Sequence, residues 1–396
     1  MNSEGNPNFE SLGKHKRFNE DAQEFKGPGS YKRKNDEKET YYGRKRQNQK
    51  WKQHDKPNYR VWNSSIQNSF KNKNANKWQN RNYSPRVNFV EVSKPGKPRK
   101  YTISIAVPAS ILEETCIKDE LRTYTVGQVA RAANIYSVDE IVVYDDNCQK
   151  RSSANNSSGS KDLIEMMQML LEYQECPQYL RKHLFQFHPY LRMVGLLNAL
   201  NSPHHLRSNQ WCEYREGVVL EKGSKTLSYV DVGLGMDVSI EQKLEPGLRV
   251  TLKLPPEAQE MQKPYGTVVS PDEPRVKAGY YWGYTVRVAN SLAQVVTDSR
   301  FPDGYDLLIG TSDKGDDIHK TEFHTFTHAL IVFGGVEGLE AIIKADEELE
   351  AAEPLQLFDF YINTCPLQQT RTIRTEEAVL ISLCSLQDKL VPKGIQ

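Results

Sequence analysis

The spacing of apolar residues divides the chain into an unpatterned N-terminal part and a patterned remainder. Residues 1–98 show no sustained apolar periodicity and are rich in Asn, Lys, Arg, Gln and Ser. Such a segment cannot bury enough apolar surface to offset the entropy that is lost on ordering. We therefore predict that residues 1–98 form a disordered arm and that folded structure begins at residue 99.

Strands and helices alternate along residues 99–201 and again along residues 272–396. Ile103, Ile105 and Val107 alternate with small residues, as a strand requires. Six residues then recur at steps of three and four and predict one apolar helix face: Leu121, Tyr124, Thr125, Val129, Ala132 and Ala133. Further strand and helix units follow residue 272. Repeated units of this kind predict an α/β domain with a mainly parallel sheet that helices cover on both faces.

The rhythm changes between residues 202 and 271, where five short apolar runs are separated by turn residues. The runs read EGVVLE, SYVDVGLG, VSIE, LRVTLKL and YGTVVS. Five short strands in succession predict a small barrel of the oligonucleotide-binding (OB) type, with an isolated structural hairpin module as the alternative. Because the strand and helix units resume afterwards, we interpret residues 202–271 as an insertion within one α/β domain.

Charge is distributed unevenly, although the whole chain carries only +1. Residues 1–100 contain 24 Lys and Arg against 10 Asp and Glu, a net charge of +14, so the remaining 296 residues carry −13. A basic tail neutralises phosphates and releases their counterions, which favours RNA or another polyanion as partner; a solubilising role is the alternative. Aromatic residues interleaved with the basic ones favour RNA: Trp51, Tyr59, Trp62, Trp78 and Tyr83.

Several classes of protein are disfavoured by what the sequence lacks. The six cysteines are scattered, without a CxxC pair or a His cluster at zinc spacing, so neither a disulfide framework nor a metal site is predicted. No apolar run has the length of a signal-peptide core or a membrane span, which predicts an intracellular protein, cytosolic or nuclear, without membrane contact. Basic runs at residues 31–34 and 44–46 are candidate nuclear-import signals.

Three strand ends near the C-terminus run into loops of unusual composition. Gly334 and Gly335 follow the strand ALIVF, with Gly338 close behind, and let a ligand approach the backbone. Residues 363–366 (NTCP) follow the strand FDFYI, and the loop QQTRTIRTEE precedes the last helix, for which Thr375 is the expected cap. Open α/β sheets bind ligands beyond the carboxyl ends of their strands, so these loops predict one pocket. A tight turn is the alternative for the glycine pair, and no GxGxxG or P-loop motif indicates a dinucleotide or triphosphate.

The order of these three loops resembles that of SPOUT methyltransferases. Segments along about residues 99–390, among them YTISIAVPASIL, LRTYTVGQVARA, DEIVVYDD, KAGYYWGYTVRVA and GYDLLIGTS, look like the centromere- and spindle-associated SPOUT methyltransferases of animals. The last loop departs from the family pattern at Gln369 and Thr370 but keeps an Arg-Thr-Ile-Arg core. The arm matches the family only in being basic.

This resemblance implies a fold, an activity and a set of site residues. The fold would be an α/β domain with a trefoil knot, a rare exception to unknotted topology. The activity would be methylation of an RNA base with S-adenosylmethionine as cofactor, and related fungal members look like enzymes for N3 of uridine in large-subunit ribosomal RNA. A homodimer, a nuclear or nucleolar and cytoplasmic location, and spindle or kinetochore partners are further expectations. The cofactor residues would be Thr311, Gly334, Gly335, Gly338, Asn363, Thr364, Thr372, Ile373 and Arg374.

Arginines and an acidic cluster are candidates for the chemistry itself. Methyl transfer from a sulfonium is an in-line displacement, so the protein must position the nucleophile and remove its proton. Arg287 and Arg122 are the candidate catalytic residues, which would grip RNA or stabilise charge on a uridine oxygen; surface ion pairing is the alternative. Arg371 and Arg374 are candidate phosphate contacts, although Arg374 has Glu376 and Glu377 nearby as ion-pair partners. The candidate bases are Asp306, Asp313, Asp316 and Asp317.

Histidine and aromatic residues offer two further candidate contacts with RNA. His204 and His205 lie at the junction with the predicted barrel, where a hinge or an RNA contact would be suitable, but their place in a polar loop favours a structural role. Tyr281, Trp282 and Tyr284 could stack a flipped base, whereas an aromatic run in a buried strand favours the core.

Two other classes of function stay open at this stage. One is a spindle or kinetochore scaffold that keeps the fold without turnover. The other is an RNA-binding module in which the barrel and the arm do all the work. The intact cofactor loops favour an enzyme over both.

Overall fold

The computed structural model of the chain describes residues 90–92, 96–114, 118–146, 158–346, 348–349 and 353–395. All of them belong to one of the chain's two compact units, residues 60–396. Most of the predicted disordered arm, with its interleaved aromatic residues and candidate import runs, lies outside the described residues, so its disorder stays untested. The predicted start of folded structure at residue 99 is wrong, because Val90–Glu91 already forms a short strand.

The elements follow the order that the apolar pattern predicts. In chain order the strands are β1 (Val90–Glu91), β2 (Thr102–Pro108), β3 (Glu140–Tyr144), β4 (Gln210–Trp211), β5 (Tyr214–Gly223), β6 (Ser228–Asp231), β7 (Asp237–Ile240), β8 (Arg249–Lys253), β9 (Thr267–Val269), β10 (Thr285–Ala289), β11 (Leu307–Asp317), β12 (His328–Val332) and β13 (Phe360–Asn363). The α-helices are α1 (Ile111–Glu114), α2 (Asp119–Ile135), α3 (Ser158–Glu175), α4 (Gln178–Leu184), α5 (Leu292–Thr297), α6 (Leu339–Ala345), α7 (Pro354–Leu357) and α8 (Thr375–Leu390).

Six strands form one sheet in the order β10-β3-β2-β12-β11-β13. Every neighbouring pair in this sheet is parallel. The predicted α/β class with a mainly parallel sheet is therefore confirmed. The strand order changes direction beside β2, whose neighbours are β3 and β12, and such a switch point opens a crevice at the carboxyl ends of the strands.

Side chains of the central strands alternate between two apolar cores, one on each face of the sheet. Ile105 and Ile331 belong to a core that includes residues of α2, α3 and α8. Val142 and Leu330 belong to a second core that includes residues of α5 and α6. Burial on both faces explains why these strands are continuously apolar in sequence.

Helix α2 forms where it is predicted, but its buried face differs from the prediction. Val129 and Ala133 are buried as expected, whereas Leu121 and Tyr124 are 50% and 48% exposed. The buried face instead includes Gly127, where a Cβ would lie 2.8 Å from the side chain of a neighbouring leucine. Because small residues let neighbouring segments approach closely, residue size outweighs apolarity in deciding which face of α2 packs.

Strands β5 to β9 form a second, antiparallel sheet in the order β7-β6-β5-β8-β9. A parallel bridge between Ser239 in β7 and Tyr265, just before β9, joins the two edges, so the sheet closes on itself. Apolar side chains such as Val230 and Leu252 fill its interior. All five strands predicted for the insertion are present, and we refer to residues 214–269 as the barrel.

Strands β1 and β4 form a small parallel pair beside the barrel. Val90 pairs with Gln210 and Glu91 pairs with Trp211, and Val90 N donates to the carbonyl oxygen of Asn209 at 2.9 Å. Trp211 belongs to the apolar core of the barrel. The chain that precedes the parallel sheet is thus attached to the barrel at this pair.

An ion-pair network fastens the barrel to the α/β core. The Arg249 guanidinium of β8 lies 2.6 Å from Glu175 Oε2 at the end of α3 and 2.6 Å from Glu216 Oε2 of β5. Burial alone would raise the pKa of Glu175, but the charges and hydrogen bonds of Arg249 and His204 together outweigh burial and hold that pKa well below its ordinary value. Arg249 therefore compensates two buried carboxylates at once.

The histidine and aromatic candidates are packed inside the fold. His204 is fully buried, and His205 Nε2 donates to the last carbonyl oxygen of α3 at 2.7 Å. Tyr281, Trp282 and Tyr284 each donate a hydrogen bond to a protein oxygen. The structural alternative is thus confirmed for both groups, and the RNA-contact and base-stacking alternatives are wrong.

Within the described residues, no three His, Cys, Asp or Glu side chains cluster in a way that could hold a metal ion. In the same part of the chain, no helix combines the length and the apolarity needed to cross a bilayer. Cys176, Cys212, Cys365 and Cys384 are free thiols.

Candidate active site

A bulge within β11 and the loops that follow β12 and β13 meet around a cavity of about 490 Å³. All nine residues predicted to bind the cofactor line it: Thr311, Gly334, Gly335, Gly338, Asn363, Thr364, Thr372, Ile373 and Arg374. Residues of α8 and Ile111 of α1 complete the lining. A volume of this size is typical of small-molecule sites.

The glycine turn after β12 is held to the start of α8. Thr375 Oγ1 donates to the carbonyl oxygen of Gly334 at 3.0 Å. A Cβ on Gly334 would lie 2.7 Å from the backbone nitrogen of Leu339, and Gly338 has a φ of 83°, so both positions require glycine. The prediction that Thr375 caps α8 is wrong, because its hydroxyl is used here; Arg374 is the N-cap residue instead.

Asn363, the last residue of β13, connects the loop after β13 to residues 312–315 within β11. Its Nδ2 donates to the carbonyl oxygen of Asp313 at 2.8 Å, and its Oδ1 accepts from the backbone nitrogen of Cys365 at 2.9 Å. Next to it, the hydroxyls of Thr364 and Ser382 lie 2.7 Å apart. Asn363 therefore positions two of the three cavity loops with one side chain.

Strand β11 contains a bulge that could not be predicted from the sequence. Ile362 pairs with both Thr311 and Asp316 of β11, so residues 312–315 are expelled from the ladder. A Cβ on Gly315 would lie 2.5 Å from the carbonyl carbon of Ile362, which explains the glycine. The bulge turns Ser312 and Asp313 into the cavity lining, as bulges near active sites commonly do.

The four candidate bases are separated by this arrangement. Asp313 lines the cavity. Asp306 instead accepts hydrogen bonds from the backbone nitrogens of Thr327 and His328, both at 2.7 Å. Asp317 caps a short helical turn through the backbone nitrogen of His319. Only Asp313 of the four belongs to the described lining of the cavity.

Two arginines of the last loop flank the same space. Arg371 and Arg374 both line the cavity. Arg374 Nε lies 2.8 Å from Glu376 Oε1, and its side chain is 49% exposed. The ion pair expected as the alternative for Arg374 is thus present, and the guanidinium still reaches the mouth of the cavity.

The candidate catalytic residue Arg287 lies elsewhere. It is in β10, at the edge of the sheet opposite β13. Its Nε lies 3.2 Å from Glu140 Oε1, and its terminal nitrogens donate to the carbonyl oxygens of Gln294 and Val295. Arg287 therefore joins β3, β10 and α5. Arg287 is not among the described residues that line the cavity, so its catalytic role is not supported by the geometry of one copy of the chain and stays a prediction.

The second candidate, Arg122, lies nearer but is not part of the cavity lining. It is in the first turn of α2, where its Nε donates to the carbonyl oxygen of Leu112 at 3.1 Å and its NH1 lies 3.3 Å from Asp119 Oδ1. It therefore ties α2 to α1. Contact between Arg122 and RNA outside the cavity stays a prediction.

Sequence reasoning misses a half-buried carboxyl beside the glycine turn. Asp146, just after β3, accepts a hydrogen bond from the hydroxyl of Ser110, just after β2. Burial raises the pKa of Asp146, and the Ser110 hydrogen bond offsets only part of that rise. A Cβ on Gly335 would lie 2.9 Å from Ser110 Oγ and 3.1 Å from Asp146 Oδ2. The acidic end of DEIVVYDD is its only signal in the sequence.

Residues 102–386 match a protein family described as "Putative RNA methyltransferase". The match covers well over half of the chain and includes all six strands of the parallel sheet. The chain belongs to this family. Two proteins, from Mus musculus and Homo sapiens, are similar to this chain in sequence along most of their length.

Both of these relatives are named 28S rRNA (uridine-N(3))-methyltransferase. The Mus musculus protein is 50% identical over 309 residues, which are 76% of this chain and 80% of that protein. The Homo sapiens protein is 49% identical over 308 residues, which are 76% of this chain and 82% of that protein.

Solved structures are less similar. The SpoU methyltransferase AviRb from Streptomyces viridochromogenes, in complex with AdoMet, covers 76% of this chain and 61% of its own, with 9% identity and a TM-score of 0.28. A TM-score this low does not show a common fold. The α/β class follows from the parallel strand order of the chain itself.

Proposed function

We propose that this chain transfers a methyl group from S-adenosylmethionine to N3 of a uridine in large-subunit ribosomal RNA. Membership of an RNA methyltransferase family supports the reaction class. The names of the mouse and human relatives support the ribosomal substrate and the uridine N3 atom. The observation that carries the proposal is the convergence of nine residues from three loops on one cavity.

The cavity suits a nucleoside sulfonium in its composition as well as its size. Gly334 and Gly335 allow the tight turn that lines the cavity. Thr311 and Thr372 bring hydroxyls, and Ile373 adds apolar surface. Such a mixture of apolar lining and a few polar groups is typical of cofactor sites. Bound S-adenosylmethionine supplies an activated methyl group. The residues of the chain hold it and orient the acceptor.

Removal of the N3 proton is the step that the chain's own residues must perform. We assign it to the Asp313 carboxylate, because Asp313 lines the cavity and its backbone is fixed by Asn363 Nδ2 at 2.8 Å. Arg371 and Arg374 flank the same space. Their guanidinium groups stabilise negative charge on uridine O2 or O4, or contact the RNA backbone.

Calorimetry with S-adenosylhomocysteine tests the cofactor part of the proposal. The wild-type chain binds it, and Asn363→Ala weakens binding at least about tenfold, because two hydrogen bonds that order the cavity loops are lost. Asn209→Ala, at an exposed position beside the barrel, is the matched control and keeps wild-type affinity. Absence of binding by the wild-type chain at millimolar ligand contradicts the proposal.

Mass mapping of ribosomal RNA nucleosides tests the substrate part. Cells that carry only the Asn363→Ala variant lose N3-methyluridine at one position of the large-subunit RNA, whereas cells with Asn209→Ala keep it. An unchanged nucleoside content in cells that lack the protein shows that the substrate has been misassigned.

We also propose that the active form is a homodimer. Four exposed apolar side chains lie together on one side of the α/β domain: Tyr124, Ile135, Leu196 and Leu380. Glu376 and Ile381 belong to this surface and also to the cofactor cavity, so a second copy seated there would lie next to the cofactor. Sedimentation of the wild-type chain as a dimer and of Leu380→Asp as a monomer is expected; a monomeric wild-type chain contradicts this arrangement.

The remaining parts have separate tasks in the proposal. Residues 99–201 and 272–396 form the methyltransferase domain, for which a SPOUT fold with a trefoil knot stays a prediction. Residues 202–271 form an OB-like insertion, which the closed five-stranded sheet supports. The barrel and the basic arm, residues 1–98, hold the RNA. A ribosomal substrate favours a nuclear or nucleolar place of action, with cytoplasmic protein awaiting import.

A non-catalytic scaffold at the spindle or kinetochore is not favoured, because such a protein has no need of a glycine-lined cavity. If the scaffold alternative held, a spindle phenotype would survive Asn363→Ala. A plain RNA-binding module is not favoured for the same reason. Under that alternative, loss of the arm would abolish function without any dependence on the cofactor.

A further inference from the structure

The outer surface of the barrel carries a row of side chains that crosses three segments. In β6, Ser228 and Val230 are buried, so Tyr229 between them points outward. In β7, Val238 and Ile240 are buried, so Ser239 points outward. The same alternation buries the neighbours of Tyr265 and leaves Tyr265 51% exposed.

Backbone pairing places these three outward residues side by side. Tyr229 pairs with Ser239 in the antiparallel β6-β7 ladder, and Ser239 pairs with Tyr265 in the parallel bridge that closes the barrel. Paired residues share one face of a sheet, and neighbouring strands lie about 4.8 Å apart. The backbones of Tyr229 and Tyr265 therefore lie about 10 Å apart, with only the strand that carries Ser239 between them.

Basic side chains lie beside this row. Lys222 Nζ lies 5.9 Å from the ring centroid of Tyr229 and pairs with Asp237. On the other side, Lys182 and His183 of α4 lie 3.6 and 3.2 Å from Asp231. Asp231 and Asp237 are themselves a cross-strand pair, so basic side chains reach both carboxylates and offset their charge.

Two further lysines flank the row. Lys225 is exposed in the turn between β5 and β6, and Lys263 is exposed two residues before Tyr265. Aromatic faces on a sheet with lysines beside them are the combination by which single-stranded nucleic acids are bound, since each base stacks on a ring and the phosphates follow the cations.

We propose that Tyr229 and Tyr265 form a stacking platform for unpaired bases of the RNA substrate. The inference rests on the proposed function and adds a second contact, outside the cofactor cavity, that selects single-stranded RNA next to the target uridine. Bases stack on the faces of the aromatic rings, so the tyrosine hydroxyls are not needed for this contact. The lysines contribute affinity without sequence preference.

Binding of a short fluorescent oligouridylate to the full chain tests the platform. Tyr229→Ala and Tyr265→Ala each weaken affinity about tenfold, and the double variant weakens it about a hundredfold, as the loss of one and two stacked bases requires. Tyr229→Phe and Tyr265→Phe are the matched controls and stay within about twofold of the wild type. A duplex of the same length binds equally well to all variants.

Several outcomes overturn the platform. One is unchanged oligouridylate affinity in the double alanine variant. This result would indicate that the row contacts a protein and not RNA. Another is equal weakening by the phenylalanine and alanine variants, which would indicate hydrogen bonding by the hydroxyls. Thermal unfolding of each variant within a few degrees of the wild type shows that the barrel is intact, as expected for exposed positions.

Cofactor binding separates this inference from the proposed function. The double alanine variant keeps wild-type affinity for S-adenosylhomocysteine, and its methylation of RNA shows a raised KM with an unchanged kcat. Unchanged KM overturns the platform alone. A wild-type chain that binds oligouridylate through the tyrosines but does not bind S-adenosylhomocysteine overturns the proposed function alone.

Discussion

The glycine turn after β12 has no room for a side chain at Gly334. A Cβ there would lie 2.7 Å from Leu339 N and 2.9 Å from the carbonyl carbon of Gly338. Both are backbone atoms, so they cannot move aside as a flexible side chain would. We expect Gly334→Ala to destabilise the chain by about 1–3 kcal/mol and to weaken S-adenosylhomocysteine binding at least about tenfold, measured by urea unfolding and calorimetry.

The matched control for this substitution is Gly195→Ala. A Cβ on Gly195 would have no atom within 4 Å, so its stability stays within about 0.5 kcal/mol of the wild type. If the Gly334→Ala variant bound S-adenosylhomocysteine as tightly as the Gly195→Ala variant, the glycine turn would not be part of the cofactor site.

His205 gives the fold a dependence on pH. Burial, with His204 adding to it, lowers the pKa of His205 from 6.5 to about 3. Between these values the unfolded chain binds one more proton than the folded chain, so stability falls as the pH falls from about 6.5. His205→Gln keeps a donor for the carbonyl oxygen of Glu175 but cannot be protonated. Between pH 7 and pH 4 the wild type should lose about 2–3 kcal/mol more than the variant, measured by urea unfolding; parallel losses would contradict this account.

Residues differ in how far the sequence reveals their role. The glycines and Asn363 of the cavity could be predicted, because polar or glycine-rich loops directly after apolar strands are visible in sequence. Arg287 could not. Its partner Glu140 belongs to another strand, and the ion pair depends on the register that sets Thr285 opposite Glu140. Only strand pairing decides that this arginine is satisfied internally.

At the scale of elements, Arg249 joins a strand of the barrel to a helix of the α/β core. Arg249→Met leaves Glu175 and Glu216 buried without their counter-charge. We expect a loss of about 3–5 kcal/mol in the free energy of unfolding at pH 7. Glu175 is ionised when paired, so this difference shrinks as the pH falls below the ordinary carboxyl range.

A matched control lies in the same strand. Lys253 pairs with Glu213 at 3.7 Å, and both side chains are largely exposed. Lys253→Met should cost no more than about 1 kcal/mol. Equal effects of the two substitutions would show that the buried network does not hold the barrel in place.

Elements were predictable where periodicity alone determines them. Alternation identifies the strands of the barrel, short apolar runs identify those of the parallel sheet, and steps of three and four residues identify α2. The buried face of α2 and the bulge in β11 were not predictable, because both depend on what packs against them. Gly127 is buried beneath a neighbouring leucine, and Gly315 is required by the backbone of Ile362. Neither contact leaves a local signature in sequence.

At the scale of the whole molecule, the two regions of opposite charge predict a strong dependence of RNA binding on salt. Deletion of residues 1–89 removes 20 Lys and Arg with 9 Asp and Glu and keeps β1. We expect RNA affinity to fall at least about tenfold near 0.1 M salt and the slope of log affinity against log salt to become shallower. S-adenosylhomocysteine binding should not change. A salt slope equal to that of the full chain would rule out phosphate contacts by the arm.

The fold class, the insertion and the place of the cavity could all be inferred from the order of strand and helix patterns. The sequence did not reveal that Ser239 and Tyr265 close the barrel, since such a bridge is a contact between segments far apart in the sequence. The same holds for the packing of α2 against α8.

The pairing of β1 with β4 has a consequence for how RNA is held. Because Val90 N donates to Asn209 O and Trp211 lies in the barrel core, the chain is fixed to the barrel at β1, which directly follows the basic residues 1–89 in sequence. If the barrel and residues 1–89 both bind RNA, as we propose, this attachment makes their binding bivalent. RNA that is bound by one of them is then held near the other at a high effective concentration. Supplied as a separate peptide, the same basic segment would compete for RNA instead of helping to retain it.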